Sequence, residues 1–139
     1  MVNSHWTLGI TVTKTKNMNV EDLNVYQLAM EVGDEIYFIV EKWDKFQEWT
    51  TGKQLDDASD YIAANISEGY GRYFYKENRQ FQYYSRGSQT ETRTWLTKAL
   101  NRSLIDIDKF KNLVQKLEFL AKMHNAYINS IDPKNSDSR

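Results

Sequence analysis

Apolar residues at Val25, Ala29, Val32, Ile36, Val40 and Trp43 recur at steps of three or four, the spacing that draws one stripe down an α-helix. The pattern predicts a first helix from about Leu23 to Phe46, with Asp22 placed to cap its start. The stretch Gln47–Lys53, which contains Gly52, reads as a connection. A second helix carries Leu55, Ala58, Ile62 and Ile66 on its inner face and fades near Gly69–Arg72. The third runs from about Tyr75 to Ser103 on a stripe of Phe81, Ser85, Ser88, Thr92, Trp95 and Ala99. That stripe is small and polar at mid-length, so it lets another backbone come close but buries little apolar surface of its own. The fourth helix has the cleanest period, Phe110, Leu113, Leu117, Leu120, His124, Tyr127 and Ile131, with Asp106 or Asp108 as its cap.

Four amphipathic helices on short connections predict an all-α fold, an antiparallel up-down four-helix bundle spanning residues 19–131. No alternation of strands with helices and no internal repeat competes with it. Proline occurs once, at Pro133, as long helices require. Residues 132–139 form a polar tail predicted to be disordered. Residues 1–18 differ: Trp6, Leu8, Ile10 and Val12 alternate with other residues, the period of a strand. A lone strand leaves its backbone unpaired. This extension is therefore expected to be a flexible or strand-like arm that stays disordered, folds back or pairs with a neighbouring subunit. Met18 stands as an alternative start of translation.

Charge adds an asymmetry that the helices do not show. Residues 21–68 hold twelve acidic side chains against three lysines, whereas residues 69–102 hold seven basic side chains against Glu77 and Glu91, within a chain of net charge −1. Opposed charge in one small domain implies head-to-tail self-association or an anionic partner for the basic segment, against the plainer reading of solvated faces that differ. Cysteine is absent, no apolar run is long enough for a membrane span, and no signal peptide is visible. Those features predict a cytoplasmic protein with no membrane association.

The residues offer little for catalysis. The two histidines, His5 and His124, have no glutamate three residues ahead, so the paired Glu-x-x-His sites of di-metal bundles are missing. His124 reads as a core or interface residue rather than a ligand. The serines lack an assigned base and the nucleophile-elbow pattern. Gly69-Tyr70-Gly71-Arg72 lacks the third glycine or the lysine of a nucleotide loop. The expectation is no enzyme, no metal and no cofactor. Two constellations remain. Glu68 and Arg86, each beside a glycine and near the inner stripe of its helix, predict a buried polar linkage between the second and third helices, joined by Asn65 and Glu91. Arg72, Lys76 and Arg79, set among Tyr70, Tyr73, Phe74, Tyr75, Tyr83 and Tyr84, are the candidate RNA contacts: cations attract phosphates and exposed rings stack on unpaired bases.

Several of these elements carry a resemblance. Asp22-Leu23-Asn24-Val25-Tyr26-Gln27 with Ala29, Ala63-Ala64-Asn65-Ile66-Ser67-Glu68-Gly69-Tyr70-Gly71-Arg72, Lys76-Glu77 with Phe81, and Arg86-Gly87-Ser88 with Glu91 follow in order over about residues 20–131. In this the chain resembles the four-helix bundle family encoded by intervening sequences of bacterial 23S ribosomal RNA genes. A related branch comprises the accessory variability determinants of diversity-generating retroelements. The resemblance implies an up-down bundle that assembles into a ring, commonly a homopentamer. For the family it implies no established enzymatic activity and, from gene context, association with RNA or the ribosome, while the related branch works with reverse transcriptase and RNA through a basic surface. The second helix departs from the family pattern, with Asp56, Asp57 and Asp60 where basic or apolar residues are expected. Set beside the RNA-binding reading is a protein-protein interaction adaptor that recognises partner helices without nucleic acid.

Overall fold

A computed structural model describes residues 18–131. The expectations for the N-terminal arm before Met18 and for the tail after Ile131 lie outside the described residues. Four long helices carry the fold: α1 (Asn24–Val40), α2 (Lys53–Tyr70), α3 (Tyr75–Asn101) and α4 (Ile107–Ser130). A single 3-10 turn, Val20–Asp22, precedes α1. The Asp22 carboxylate accepts from the Asn19 N–H at 2.9 Å. Asp22 thus serves that turn, and α1 begins at Leu23 with no side-chain cap.

Cross-links between helices define the topology. Between α1 and α2, Gly33 lies against Asp60, and Val40 lies against Gly52, the residue just before α2. On α2 and α3, the Ser85 hydroxyl donates to the Ile62 carbonyl at 2.8 Å and Gln82 Nε2 to the Ile66 carbonyl at 3.1 Å. Asn78 meets Tyr127, and Gln82 meets His124, between α3 and α4. Lys116 of α4 ties back to Glu31 and Glu35 of α1. In the first three pairs, numbers rise on one helix as they fall on its neighbour, so successive helices run antiparallel, and α4 closes the square against α1. The all-α, up-down four-helix bundle expected from the periodicity is the observed fold. Its core is built from Leu28, Val32, Ile36, Ile62, Ile66, Leu96, Leu113 and Leu120, all buried. Each such side chain contributes roughly 1.5–3 kcal/mol by leaving water.

Two segments differ from the expectation. The apolar stripe of α1 continues to Trp43, yet the helix ends at Val40. Asp44 adopts an extended backbone and accepts the Gln47 N–H at 3.0 Å, starting a new turn, Lys45–Gln47. A short side chain that captures a backbone donor competes with helix continuation. The stretch read as a connection is itself helical: Glu48–Gly52 is a π-turn that runs into α2. Gly52 is packed there, since a Cβ would stand 2.6 Å from Val40 Cγ1. At the other end of the bundle, the Tyr70 hydroxyl donates to the Met18 carbonyl at 3.0 Å and fastens the chain's entry to α2. No helix among the described residues is long and apolar enough to cross a membrane.

Candidate functional site

The α2–α3 hairpin, which holds both glycine-and-charge motifs, rests on a buried polar layer. The inner face of α3 is Asn78, Gln82, Ser85, Gln89, Thr92, Leu96 and Ala99. This face is rotated from the expected stripe, and Phe81, Ser88 and Trp95 lie half-buried on its flank. His124 is fully buried between two of these side chains. Its Nε2 is 2.8 Å from Gln82 Oε1 and its Nδ1 is 2.8 Å from Gln89 Nε2. An amide oxygen can only accept and an amide nitrogen only donate, so the ring carries its proton on Nε2 and is neutral. Burial pushes its pKa down to about 4, with Arg86 nearby adding to the effect. Gln82 Nε2 donates both its hydrogens, to Ile66 O and to Asn78 Oδ1. Gly69 makes this possible. A Cβ there would stand 2.6 Å from Gln82 Nε2 and 2.8 Å from the Asn78 carbonyl oxygen.

The expected linkage is therefore replaced by another. Glu68 pairs with Arg72, four residues on in the turn after α2, at 2.7 Å, with both side chains substantially exposed. Arg86 is exposed; it donates to Asn125 Oδ1 at 3.4 Å and lies over the Tyr83 ring at 5.0 Å. Asn65 donates to the Tyr61 carbonyl at 2.9 Å, and Glu91 is exposed. Helix register is the reason. Antiparallel packing sets Ile62 against Ser85 and Gly69 against Asn78, so Glu68 is level with Arg79–Gln80. That level is about two turns, roughly 10 Å, from Arg86. The linking residues are Asn78, Gln82, Gln89 and His124. Their signal in the sequence is polar residues at helical spacing, 78, 82, 85, 89 and 92, where an inner stripe belongs.

The three candidate RNA contacts are divided. Arg72 is ion-paired to Glu68 and lies 4.6 Å over the Phe81 ring. Arg79 turns to the other flank, donating to the Ile131 carbonyl at 3.0 Å and stacking on Tyr75 at 5.5 Å. Lys76 is exposed between them in sequence. Around the hairpin stand exposed rings: Tyr73 and Phe74 in edge contact at 4.8 Å, Tyr84 in edge contact with Phe81 at 5.5 Å, and Tyr83.

On the opposite side, α1 and α2 present an acidic face. Asp34 and Asp60 line a groove of about 420 Å³ whose floor is Ala29, Gly33, Ser59 and Ala63. Burial, then Asp60, Asp57 and Glu48, pushes the Asp56 carboxyl up to about 6. Burial and the charges of Asp34 and Asp57 also raise Asp60. Among the described residues no group of three or more such side chains is arranged to hold a metal ion.

No curated protein matches the chain. The family model described as 23S rRNA-intervening sequence protein matches residues 21–126, which takes in α1, α2, α3 and most of α4. The chain belongs to the family of 23S rRNA-intervening sequence proteins.

Proposed function

We propose that this chain is a non-enzymatic, ring-forming homo-oligomer, a pentamer on the pattern of its family, that serves as an RNA-binding or ribonucleoprotein scaffold. The observation that carries the reading is the segregation of charge over one small bundle. The α1–α2 face gathers Asp34, Asp56, Asp57 and Asp60, and burial, with neighbouring carboxylates adding to it, raises the pKa values of Asp56 and Asp60. The α3 helix carries Lys76, Arg86, Arg93 and Lys98 on exposed positions. Surfaces of opposite sign on one subunit favour a heterologous contact, here between the acidic face and the half of α3 that carries Arg93 and Lys98, and such a contact closes into a ring when its rotation permits. The family name supplies the link to ribosomal RNA.

Light scattering at micromolar concentration tests the assembly. The expected mass is about five times the 16.4 kDa chain, falling as salt rises. A monomer mass at low salt defeats the ring. RNA titration at two ionic strengths tests the second half, because phosphate contacts weaken steeply with salt. Absence of binding at low salt leaves the adaptor reading, in which the bundle recognises partner helices.

A further inference from the structure

We infer that the α2–α3 turn and the first half of α3 form a platform for single-stranded nucleic acid, on which unpaired bases stack. The inference rests on the RNA-binding half of the proposed function and names the form of RNA that this surface fits.

Four aromatic side chains of the α2–α3 turn and the first half of α3 are open to solvent: Tyr73 is 66% exposed, Phe74 59%, Tyr84 51% and Tyr83 43%. None is needed to fill the core. Tyr73 with Phe74 and Phe81 with Tyr84 form edge-to-face pairs, with ring planes at 88° and 87°. Phe74 and Phe81 are seven residues apart, two turns or about 10.5 Å along α3. The same stretch of α3 carries Lys76, Gln80 and Arg86, all exposed. Arg72 and Arg86 are each laid against a ring, at 4.6 Å from Phe81 and 5.0 Å from Tyr83.

The chemistry selects among partners. Rings interrupted by lysine, glutamine and arginine do not make the continuous apolar strip that an amphipathic helix needs. Rings with cations interleaved match a polyanion that carries flat π-faces. In a duplex those faces are already stacked on one another and only backbone and groove edges are offered, which leaves the exposed rings nothing to bind. A single strand offers both its phosphates and its bases.

The test uses the full chain and two probes, a labelled oligouridylate of about twelve nucleotides and an RNA duplex of equal length, each titrated at about 50 and 200 mM salt. The single strand is expected to bind at least tenfold more tightly than the duplex. Tyr84→Ala should weaken single-strand binding by about tenfold with the salt slope unchanged, while Tyr84→Phe retains it. Lys76→Gln should instead lower the slope by about 0.7. Tyr84 is exposed, and an unchanged melting curve of Tyr84→Ala verifies that the fold is intact. Equal binding of both probes, untouched by Tyr84→Ala, overturns the platform and leaves the RNA-binding reading standing. Failure of both probes to bind at about 50 mM salt removes that reading and the platform together.

Discussion

An alanine methyl at position 69 would stand 2.6 Å from Gln82 Nε2 and 2.8 Å from the Asn78 carbonyl, and the second of these is backbone that cannot swing aside. Gly69→Ala is expected to destabilise the bundle by more than about 2 kcal/mol in urea unfolding, through overpacking and loss of the Gln82 hydrogen bonds. Gly87 is the contrast. It lies on the exposed side of α3 with no atom within 4 Å of its Cβ position. Gly87→Ala should stabilise the monomeric fold by about 0.5–1 kcal/mol, because glycine is a poor helix former. If that gain comes with a smaller mass in light scattering, position 87 lies in a subunit contact. His124 sets a pH dependence. The unfolded ring takes its proton near 6.5 and the folded one near 4, so the unfolded chain binds more protons between those values. Its contribution is full above pH 6.5 and is lost, on the order of 3 kcal/mol at full extent, as pH falls toward 4. Asp56 acts in the opposite sense: with a folded value near 6 against 3.8, it takes a proton more readily in the folded state. Urea midpoints at pH 7 and 4.5 should therefore fall less for His124→Leu than for the parent protein, and more for Asp56→Asn.

At the level of elements, helix ends are settled by local bonds more than by apolar period. The α3 helix stops through a Schellman motif, with Leu104 N–H bonded to Ala99 O at 2.8 Å and Ser103 N–H to Leu100 O at 3.0 Å. This holds Ser103 at φ 59°, in the left-handed region. Ser103→Gly should raise stability by about 1 kcal/mol, since serine is strained there and glycine is not. The α4 helix starts at Asp106, whose carboxylate accepts the Lys109 N–H at 2.7 Å. Asp106→Ala should lower the thermal midpoint in keeping with a loss of about 1 kcal/mol. A cap at Asp106 or Asp108 was legible from the sequence because acidic residues precede a strong stripe, and the structure assigns it to Asp106. The end of α1 was not: Trp43 keeps the period and stays half-buried, while Asp44 redirects the backbone. The π-turn was hidden for the same reason. A glycine between helical runs looks like a break, and only the contact with Val40 explains why Gly52 is packed instead.

Over the whole molecule, the bundle was legible because three helices have an apolar stripe and α3 keeps the helical period in smaller and more polar residues, and four such faces have one economical arrangement. The α2–α3 link was misread because Glu68 and Arg86 look like partners in sequence, while antiparallel register puts them about two turns apart. The aromatic stretch was visible as composition, yet nothing in the sequence separates Tyr70 and Tyr75, which pack on the core, from Tyr73 and Phe74, which do not. The charge asymmetry was read directly, and the raised carboxyls of Asp56 and Asp60 give it a location. Asp60→Lys brings opposite charge to the acidic face without entering the core, so a reduced assembly mass with an unchanged melting curve is the expected outcome.

The imidazole of His124 touches two glutamines that are seven residues apart on α3. A bundle held only by leucine and isoleucine tolerates sliding, since one apolar side chain fills another's place with little loss. This one does not slide. Moving α4 by a single residue turns the ring by about 100° and strands Gln82 and Gln89 together. The trio thus works as a key that admits one alignment of helices and rejects its near neighbours. Replacing all three by apolar side chains of similar volume should give a chain as stable or more so, but one that populates several alignments. The proposed ring of identical subunits would depend on each copy choosing the same one.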